Sequence, residues 1–263
     1  MKRKPRNLLF TGGWDSSFRL LHLLLVEKQP VQPIYVLDPD RRSYSQELKT
    51  MTKIKREVIH KYPESRELLL PTLMFDMTDL EEDPEIKAAE KAALKQSFFG
   101  SQYEWLARTV KQHNFEDAEM CLEHHTGPVG AVPLITPLVE EGEDGLLRFP
   151  KKLQDTAAYG VFGPFSYPVL KLTKPDMMEI ARQHGFLDNL EMSWFCHRPN
   201  ILNQPCGFCN PCTDAMTKGM PHRVPPLGKL CHHLKRLLDP RPFLKKYPSV
   251  YNRLKTFKEG ILS

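Results

Sequence analysis

The sequence predicts an α/β protein built on a parallel sheet, with a cysteine-rich loop and a helical tail near its C-terminal end. Three observations carry that prediction. Apolar runs of strand length alternate with helical patterns along most of the chain. The first of these runs passes through Thr11-Gly12-Gly13-Trp14-Asp15-Ser16-Ser17 directly into an apolar helix. Four cysteines, Cys196, Cys206, Cys209 and Cys212, crowd into one short late segment.

The elements follow in order. Residues 7–10 read as the first strand, and residues 18–27 as a leucine-rich helix packed on the sheet. Residues 33–37 form the second strand, ending at Asp38-Pro39-Asp40. A long helix is predicted over 43–61, because Leu48, Met51, Ile54 and Val58 recur at helical spacing. Residues 68–75 form a third strand, and 84–113 have helical composition broken near Phe98-Phe99-Gly100. Residues 118–122 make a short fourth strand, and 133–149 a hairpin with Gly142 and Gly145 in its turn. A short helix over 175–185 stops at Gly185. Two helical pieces near the end are split by Pro240 and Pro242, and the many prolines from Pro128 onward predict irregular structure. There is no internal repeat and no low-complexity segment.

Length and composition set bounds. A chain of 263 residues holds one α/β domain with a sizeable core, or that domain and a small appendage. The longest apolar run, LLHLLLV, is too short to span a bilayer and contains His22, so no membrane association is expected. The basic start MKRKPR leads into no signal-peptide core, and a cytoplasmic location is expected. The net charge of +5 is mild and suits a site for anionic nucleotides. Between 232 and 258, Lys235, Arg236, Arg241, Lys245, Lys246, Arg253, Lys255 and Lys258 interleave with Tyr247, Tyr251 and Phe257. That cluster reads as a solvated helical surface or as a groove for nucleic acid.

Residues 11–17 have the character of a phosphate site. Glycines allow a sharp turn and a close backbone approach. The first amides of the following helix point out of its start, with the positive end of the dipole behind them. Ser16 and Ser17 add hydroxyls. No lysine follows the second glycine, so this is not G-x-x-x-x-G-K-[ST], and it is not G-x-G-x-x-G. A plain Gly-Gly turn with Asp15 or Ser16 as N-cap is the alternative.

The cysteine spacing is C-x9-C-x2-C-x2-C. Four thiolates in so short a span suit one tetrahedral Zn2+ with no open position, an ion that staples loops. Disulfides are disfavoured in a reducing compartment, whereas an iron–sulfur cluster uses the same ligands. Cys121 and Cys231 read as small buried apolar residues.

TGGWDSS resembles the SGGxDS loop of the N-type ATP pyrophosphatases, the PP-loop superfamily. SWFC followed by PCGFCNPC is similar to the zinc loop of its 7-cyano-7-deazaguanine synthase branch, from the queuosine pathway. Residues 168–186, PVLKLTKPDMMEIARQHGF, resemble that branch's lysine-bearing strand-to-helix segment, and residues 35–48 its second strand, polar turn and helix. The resemblance implies a five-stranded parallel, Rossmann-like, adenine-nucleotide hydrolase-like sheet. It implies a domain over residues 1–190, and over 191–263 a zinc loop and helical region packed on it.

The resemblance also implies a reaction using ATP, Mg2+ and Zn2+. The carboxylate of a 7-deazaguanine attacks the α-phosphorus of ATP, pyrophosphate leaves, and a nitrogen nucleophile takes the acyl group to give an amide, which in the synthases a second ATP activates for dehydration to the nitrile. Thr11, Gly12, Gly13, Trp14, Asp15, Ser16 and Ser17 would hold the pyrophosphate, with Asp15, Ser16 and Lys171 as the catalytic set. Asp15 either helps hold Mg2+ or caps the helix. Lys171 and Lys174 either neutralise phosphate charge or are surface lysines, with Lys171 favoured. Val36, Leu37 and Asp38 would meet the adenine.

The segment FFGSQYEW and the His124-His125-Thr126-Gly127 loop depart from the synthases. His125 reads as a polar loop residue or as a ligand. These departures open further readings: conjugation of the acyl group to an amine of a protein or nucleic acid, as in the synthase-like proteins of antiphage defence clusters, tRNA modification, or a non-catalytic nucleotide-binding zinc scaffold. A homodimer is compatible with all of them.

Overall fold

The structure, a computed structural model, describes residues 3–238. The second of the two terminal helical pieces, and most of the basic cluster, lie outside the described residues. The chain divides into two compact units, Met1–Phe195 and Cys196–Ser263.

The first unit starts with β1 (Arg6–Leu9), whose Leu8 and Leu9 are buried, and α1 (Trp14–Leu25). Then come β2 (Val31–Leu37), α2 (Tyr44–Lys61), β3 (Leu73–Asp76), α3 (Pro84–Ala93) and α4 (Gln102–Gln112). These are followed by β4 (Ala118–Glu119), α5 (Ala131–Ile135), β5 (Glu140–Glu141) and β6 (Leu147–Arg148). The unit closes with α6 (Ala157–Phe162), β7 (Phe165–Tyr167), α7 (Lys174–Gln183) and α8 (Leu187–Glu191). In the second unit α9 (Asn210–Thr217) and α10 (Pro226–Leu238) follow the cysteine loop.

The sheet has seven strands in the order β3-β2-β1-β4-β7-β6-β5, two more than the five expected. The first five are parallel, and the β5–β6 hairpin adds two antiparallel strands beyond β7. β1 has β2 on one side and β4 on the other, so the strand order reverses there. In open α/β sheets ligands bind in the crevice beyond the strand ends at such a reversal. Residues 11–17 emerge from β1 at that point.

Several expected boundaries shift. α1 starts at Trp14, not at Phe18, because Gly13 serves as the N-cap in extended conformation. The loop hydroxyls therefore stand inside the helix's first turn. β3 is shorter than 68–75, with only an isolated bridge from Leu69 to Val31 before it. The predicted hairpin is confined to 140–148, turning where the Gly142 N–H donates to the Leu146 carbonyl at 2.9 Å, and α5 stands where its first strand was expected. β7 and α6 lie in a stretch expected to be irregular. α7 has a full capping box: Thr173 Oγ1 accepts from the Asp176 amide, and Asp176 accepts from Thr173.

The central charge contact is buried. Arg19 of α1 donates from Nε and Nη2 to the two carboxylate oxygens of Glu119 on β4, each at 2.7 Å. Glu119 is 0% exposed and Arg19 is 6% exposed. Arg19 also contacts Glu27, whose second partner is His22 Nδ1 at 3.0 Å. Burial works against ionisation of Glu27, but hydrogen bonds from His22 and Arg19 and the Arg19 charge outweigh it and hold its pKa down to about 2.

Two measurements test this arrangement. Arg19→Met leaves the buried Glu119 carboxylate with only the more distant Arg6, at 3.9 Å, and should cost about 3 kcal/mol in urea unfolding, and adding Glu119→Leu should recover much of the loss. A loss below about 1 kcal/mol, on the scale of a surface pair, shows that the contact does not organise the core. A depressed carboxylate stabilises the fold above its unfolded pKa, and that contribution fades as pH falls toward the folded value. Stability attributable to Glu27 should therefore drop between about pH 4.5 and pH 2. Glu27→Gln should flatten that limb of the stability–pH curve.

Candidate functional site

Two places in the chain gather chemically capable groups. The first is the crevice at the strand reversal, within the first unit. Leu9 and Phe10 of the β1 end, Val36 of the β2 end, and Met120, Cys121 and Leu122 after β4 form its floor and walls. Thr11, Gly13, Trp14, Asp15 and Ser16 contribute its loop side, and Arg41, with Gln102, Tyr103, Trp105 and Leu106 of α4, complete it. The cavity proper measures about 180 Å³, a narrow cleft that opens to solvent at its mouth.

Gly12 has φ +71, a left-handed conformation suited to glycine, and a Cβ there would meet Thr50 and Met51 at 3.2 Å. Its carbonyl accepts from the Trp194 amide at 2.8 Å, which holds the turn from behind. The Ser17 N–H donates to the Gly13 carbonyl at 2.9 Å and is the first amide bonded within α1. The amides before it head out of the helix start. Thr11 and Ser16 are joined only by long contacts: Thr11 N–H to Ser16 Oγ at 3.4 Å, Oγ to Oγ at 3.5 Å, and Gly13 N–H to Thr11 Oγ1 at 3.3 Å. Bonds of that length are weak and readily exchanged for a ligand's oxygens.

Of the residues expected to hold nucleotide, Thr11, Gly13, Trp14, Asp15, Ser16 and Val36 line the crevice; Gly12, Ser17, Leu37 and Asp38 do not. Ser17 is fully buried, and its hydroxyl has no hydrogen-bond partner among the described residues. Asp38 accepts from the Asp40 amide at 3.0 Å and shapes the turn after β2. Lys171 lies on the surface, its side chain 62% exposed and paired with Glu141 at 2.7 Å. The lysine that the fold brings to the loop is Lys174, at the first turn of α7. Its Nζ lies 3.6 Å from Asp15 Oδ1 and also pairs with Glu123. Asp15 thus stands in an ion pair at the crevice, and both carboxylates are oxygen donors of the kind Mg2+ takes.

Arg41 and Glu123 carry no site role in the sequence reading; their only signal is position, since each follows a strand end near the reversal. Gln102, Tyr103 and Trp105 stand in the sequence reading only as part of the departing segment FFGSQYEW. Burial raises the Tyr103 hydroxyl above its ordinary pKa, with the Asp15 charge adding to the effect, so it is a protonated donor facing the cleft. Cys121 is likewise pushed well up by burial, which makes it an unreactive thiol. His125 Nδ1 accepts from the Gly127 amide at 3.1 Å and shapes its own loop.

The second place is the cysteine cluster of the second unit. The sulfurs of Cys196, Cys206, Cys209 and Cys212 all lie within 4.8 Å of one another. Cys206 and Cys212 are 3.8 Å apart, and Cys196 and Cys209 are 3.9 Å apart. A tetrahedron with Zn–S bonds of about 2.3 Å has edges of about 3.8 Å, so the separations match a single ion and rule out disulfide bonds. Amides of Cys206, Phe208 and Cys209 donate to the sulfurs of Cys196 and Cys206 at 3.3–3.5 Å, which steadies negative charge on them. Hydrogen bonds from Cys196 and Cys212 hold the Cys209 thiol far down, while Cys196 is pushed up to about 12, chiefly by its bond to Cys209. The four residues can hold a metal ion such as zinc.

The cluster also fixes its surroundings. Gly207, at φ +82, lies so close to α10 that a Cβ would fall 1.7 Å from the Gly228 carbonyl oxygen. His232 Nδ1 lies 3.2 Å from the Gly207 carbonyl, and Lys235 Nζ donates to the Phe208 carbonyl at 2.6 Å. α10 is therefore seated on the cysteine turn along the Gly228, His232 and Lys235 side.

No protein-family model matches this chain, and no curated protein is significantly similar to it. No helix among the described residues is long and apolar enough to cross a membrane.

Metal analysis of the purified protein should give one zinc per chain. Cys206→Ser and Cys212→Ser should each remove most of it and lower the melting temperature, and a strong chelator should lower it in the wild type as well. A full-length, folded protein with no bound metal at neutral pH would contradict the assignment of these four thiols.

Proposed function

We propose that the first unit is a PP-loop ATP pyrophosphatase that adenylates a carboxylic acid and passes the acyl group to nitrogen. The observation that carries this reading is the position of residues 11–16: an amide-rich turn opening a helix, at the reversal of a parallel sheet, with Lys174 and Asp15 at its mouth. An anion is favoured there by the helix dipole and by donors fixed in advance.

The chemistry follows from that placement. A carboxylate oxygen of the substrate forms a bond to the α-phosphorus of ATP, and the bond from that phosphorus to the bridging oxygen breaks. The electron pair leaves with pyrophosphate, whose growing charge falls on the amides of the α1 start and on the Ser16 and Thr11 hydroxyls. Donors aimed where charge develops lower the barrier to this step. Lys174 would move from its carboxylate partners to a phosphate oxygen. Asp15 and Glu123 would then be available to hold Mg2+, which when bound supplies further neutralisation of phosphate charge. The amine attacks the acyl carbon, AMP leaves, and the proton lost by nitrogen passes to water.

The acyl substrate we assign is 7-carboxy-7-deazaguanine or a close analogue, on the resemblance of residues 11–17, 168–186 and 196–212 to the synthase branch. The walls contributed by Gln102, Tyr103 and Trp105 suit a flat heteroaromatic ring with polar edges. The amine is ammonia, or an amine on a protein or nucleic acid.

Purified protein with ATP, Mg2+ and 7-carboxy-7-deazaguanine should release AMP and pyrophosphate, and the product formed with ammonium distinguishes amide from nitrile. Lys174→Ala should lower kcat by about 100-fold, the size of effect seen when one transition-state donor is lost. Lys171→Ala should stay within about two-fold of wild type, as expected for a surface pair. Absence of pyrophosphate release with every carboxylic acid tried would remove the reading.

A further inference from the structure

Arg41 is held in the crevice in a way that its neighbours do not explain. It follows β2 in the turn before α2, where its amide donates to the Asp38 carbonyl at 3.1 Å. Its Nε lies 3.3 Å from Glu47 Oε1. Glu47 is itself buried and fixed by two hydroxyls, Ser43 Oγ donating to Oε1 at 2.7 Å and Tyr35 Oη donating to Oε2 at 3.1 Å. Burial, reinforced by the Glu47 charge, raises the Tyr35 hydroxyl above its ordinary range, so it remains a donor at any physiological pH. Three residues, Glu47, Ser43 and Tyr35, thus orient one guanidinium whose side chain is only 26% exposed.

That effort is spent on the Nε edge alone. Among the described residues, neither terminal amino group of Arg41 makes a hydrogen bond, and the side chain lines the crevice that also holds the loop amides. A guanidinium held at Nε, on a side chain that lines a cleft, keeps a fork of terminal donors that matches the two oxygens of a carboxylate or phosphate. A structural arginine would instead close its remaining donors on carbonyls or carboxylates, as Arg148 does with Asp117 and Asp144.

We propose that Arg41 is the oxyanion-reading residue of this crevice, with Glu47, Tyr35 and Ser43 as its positioning residues. This rests on the adenylation reading for the identity of the anion, which is either the α-phosphate of the nucleotide or the carboxylate of the acyl substrate. The loop amides and Lys174 serve the departing pyrophosphate, so Arg41 serves an anion that stays behind in the adenylate.

Calorimetric titration of the full-length protein tests this without turnover. AMP, adenosine and 7-carboxy-7-deazaguanine are titrated separately into wild type, Arg41→Lys, Arg41→Gln and Glu47→Gln. Arg41→Gln should weaken AMP or the acid at least ten-fold, and the arm that responds identifies the anion. Arg41→Lys, which keeps the charge and loses the fork, should recover only part of that affinity. Glu47→Gln should shift the same arm by a smaller factor, and adenosine should stay within two-fold throughout. Equal weakening of adenosine and AMP, with no change in the acid, marks a structural role and overturns the proposal. So does an Arg41→Gln protein that binds both anions as wild type does, or a wild type that binds neither. Wild type that binds AMP through Arg41 but releases no pyrophosphate from ATP removes the adenylation reading and leaves the anion assignment standing.

Discussion

The bidentate contact of Arg19 with Glu119 is the constraint on which the rest of the first unit turns. It crosses the strand reversal, tying the middle of α1 to β4, with both partners buried and both oxygens used. A pair of this kind adds little net stability over an apolar replacement, but it tolerates very few geometries. Because α1 cannot rotate without breaking it, the direction of the amides at the helix start is fixed. The turn at Gly12, pinned from behind by Trp194, fixes the other end of the same loop.

The charges around the crevice are arranged with the same economy. Lys174 bridges two carboxylates, and Arg41 is held by a third that two hydroxyls immobilise. Neither cation hangs free in water on a long flexible stem, so little side-chain entropy remains to be lost when an anion arrives. The cysteine cluster plays a different part in the second unit. Among the described residues of that unit it gives an interior to a region whose other buried side chains are few, and α10 meets the cysteine turn at the Gly207–Gly228 contact.

How much of this could be read from the sequence differs from element to element. β1, β2 and α2 were legible because their apolar residues keep a clean period over enough positions, and Leu48 is the one expected core residue of α2 that the structure leaves out of its buried set. The cysteines were legible because ligand chemistry requires both the residue type and the spacing. β7 was not, since three residues between Pro164 and Pro168 carry no period to detect. Lys171 and Lys174 are both lysines flanking the same turn, and only the three-dimensional course of α7 shows which of them faces Asp15. Arg41 was invisible for a related reason: its meaning lies in a partner, Glu47, whose burial no local pattern announces.

The far side of the sheet has its own logic. β5 is two residues long, and both are exposed glutamates, Glu140 tied to Lys152 at 2.6 Å and Glu141 to Lys171 at 2.7 Å. A sheet margin is a template on which another chain can extend the hydrogen-bond ladder, and proteins blunt it with brevity and charge. Here an incoming strand would find two rungs and would have to strip water from four ionised groups to use them. Lys171, through its pair with Glu141, belongs to the charge that lines this margin.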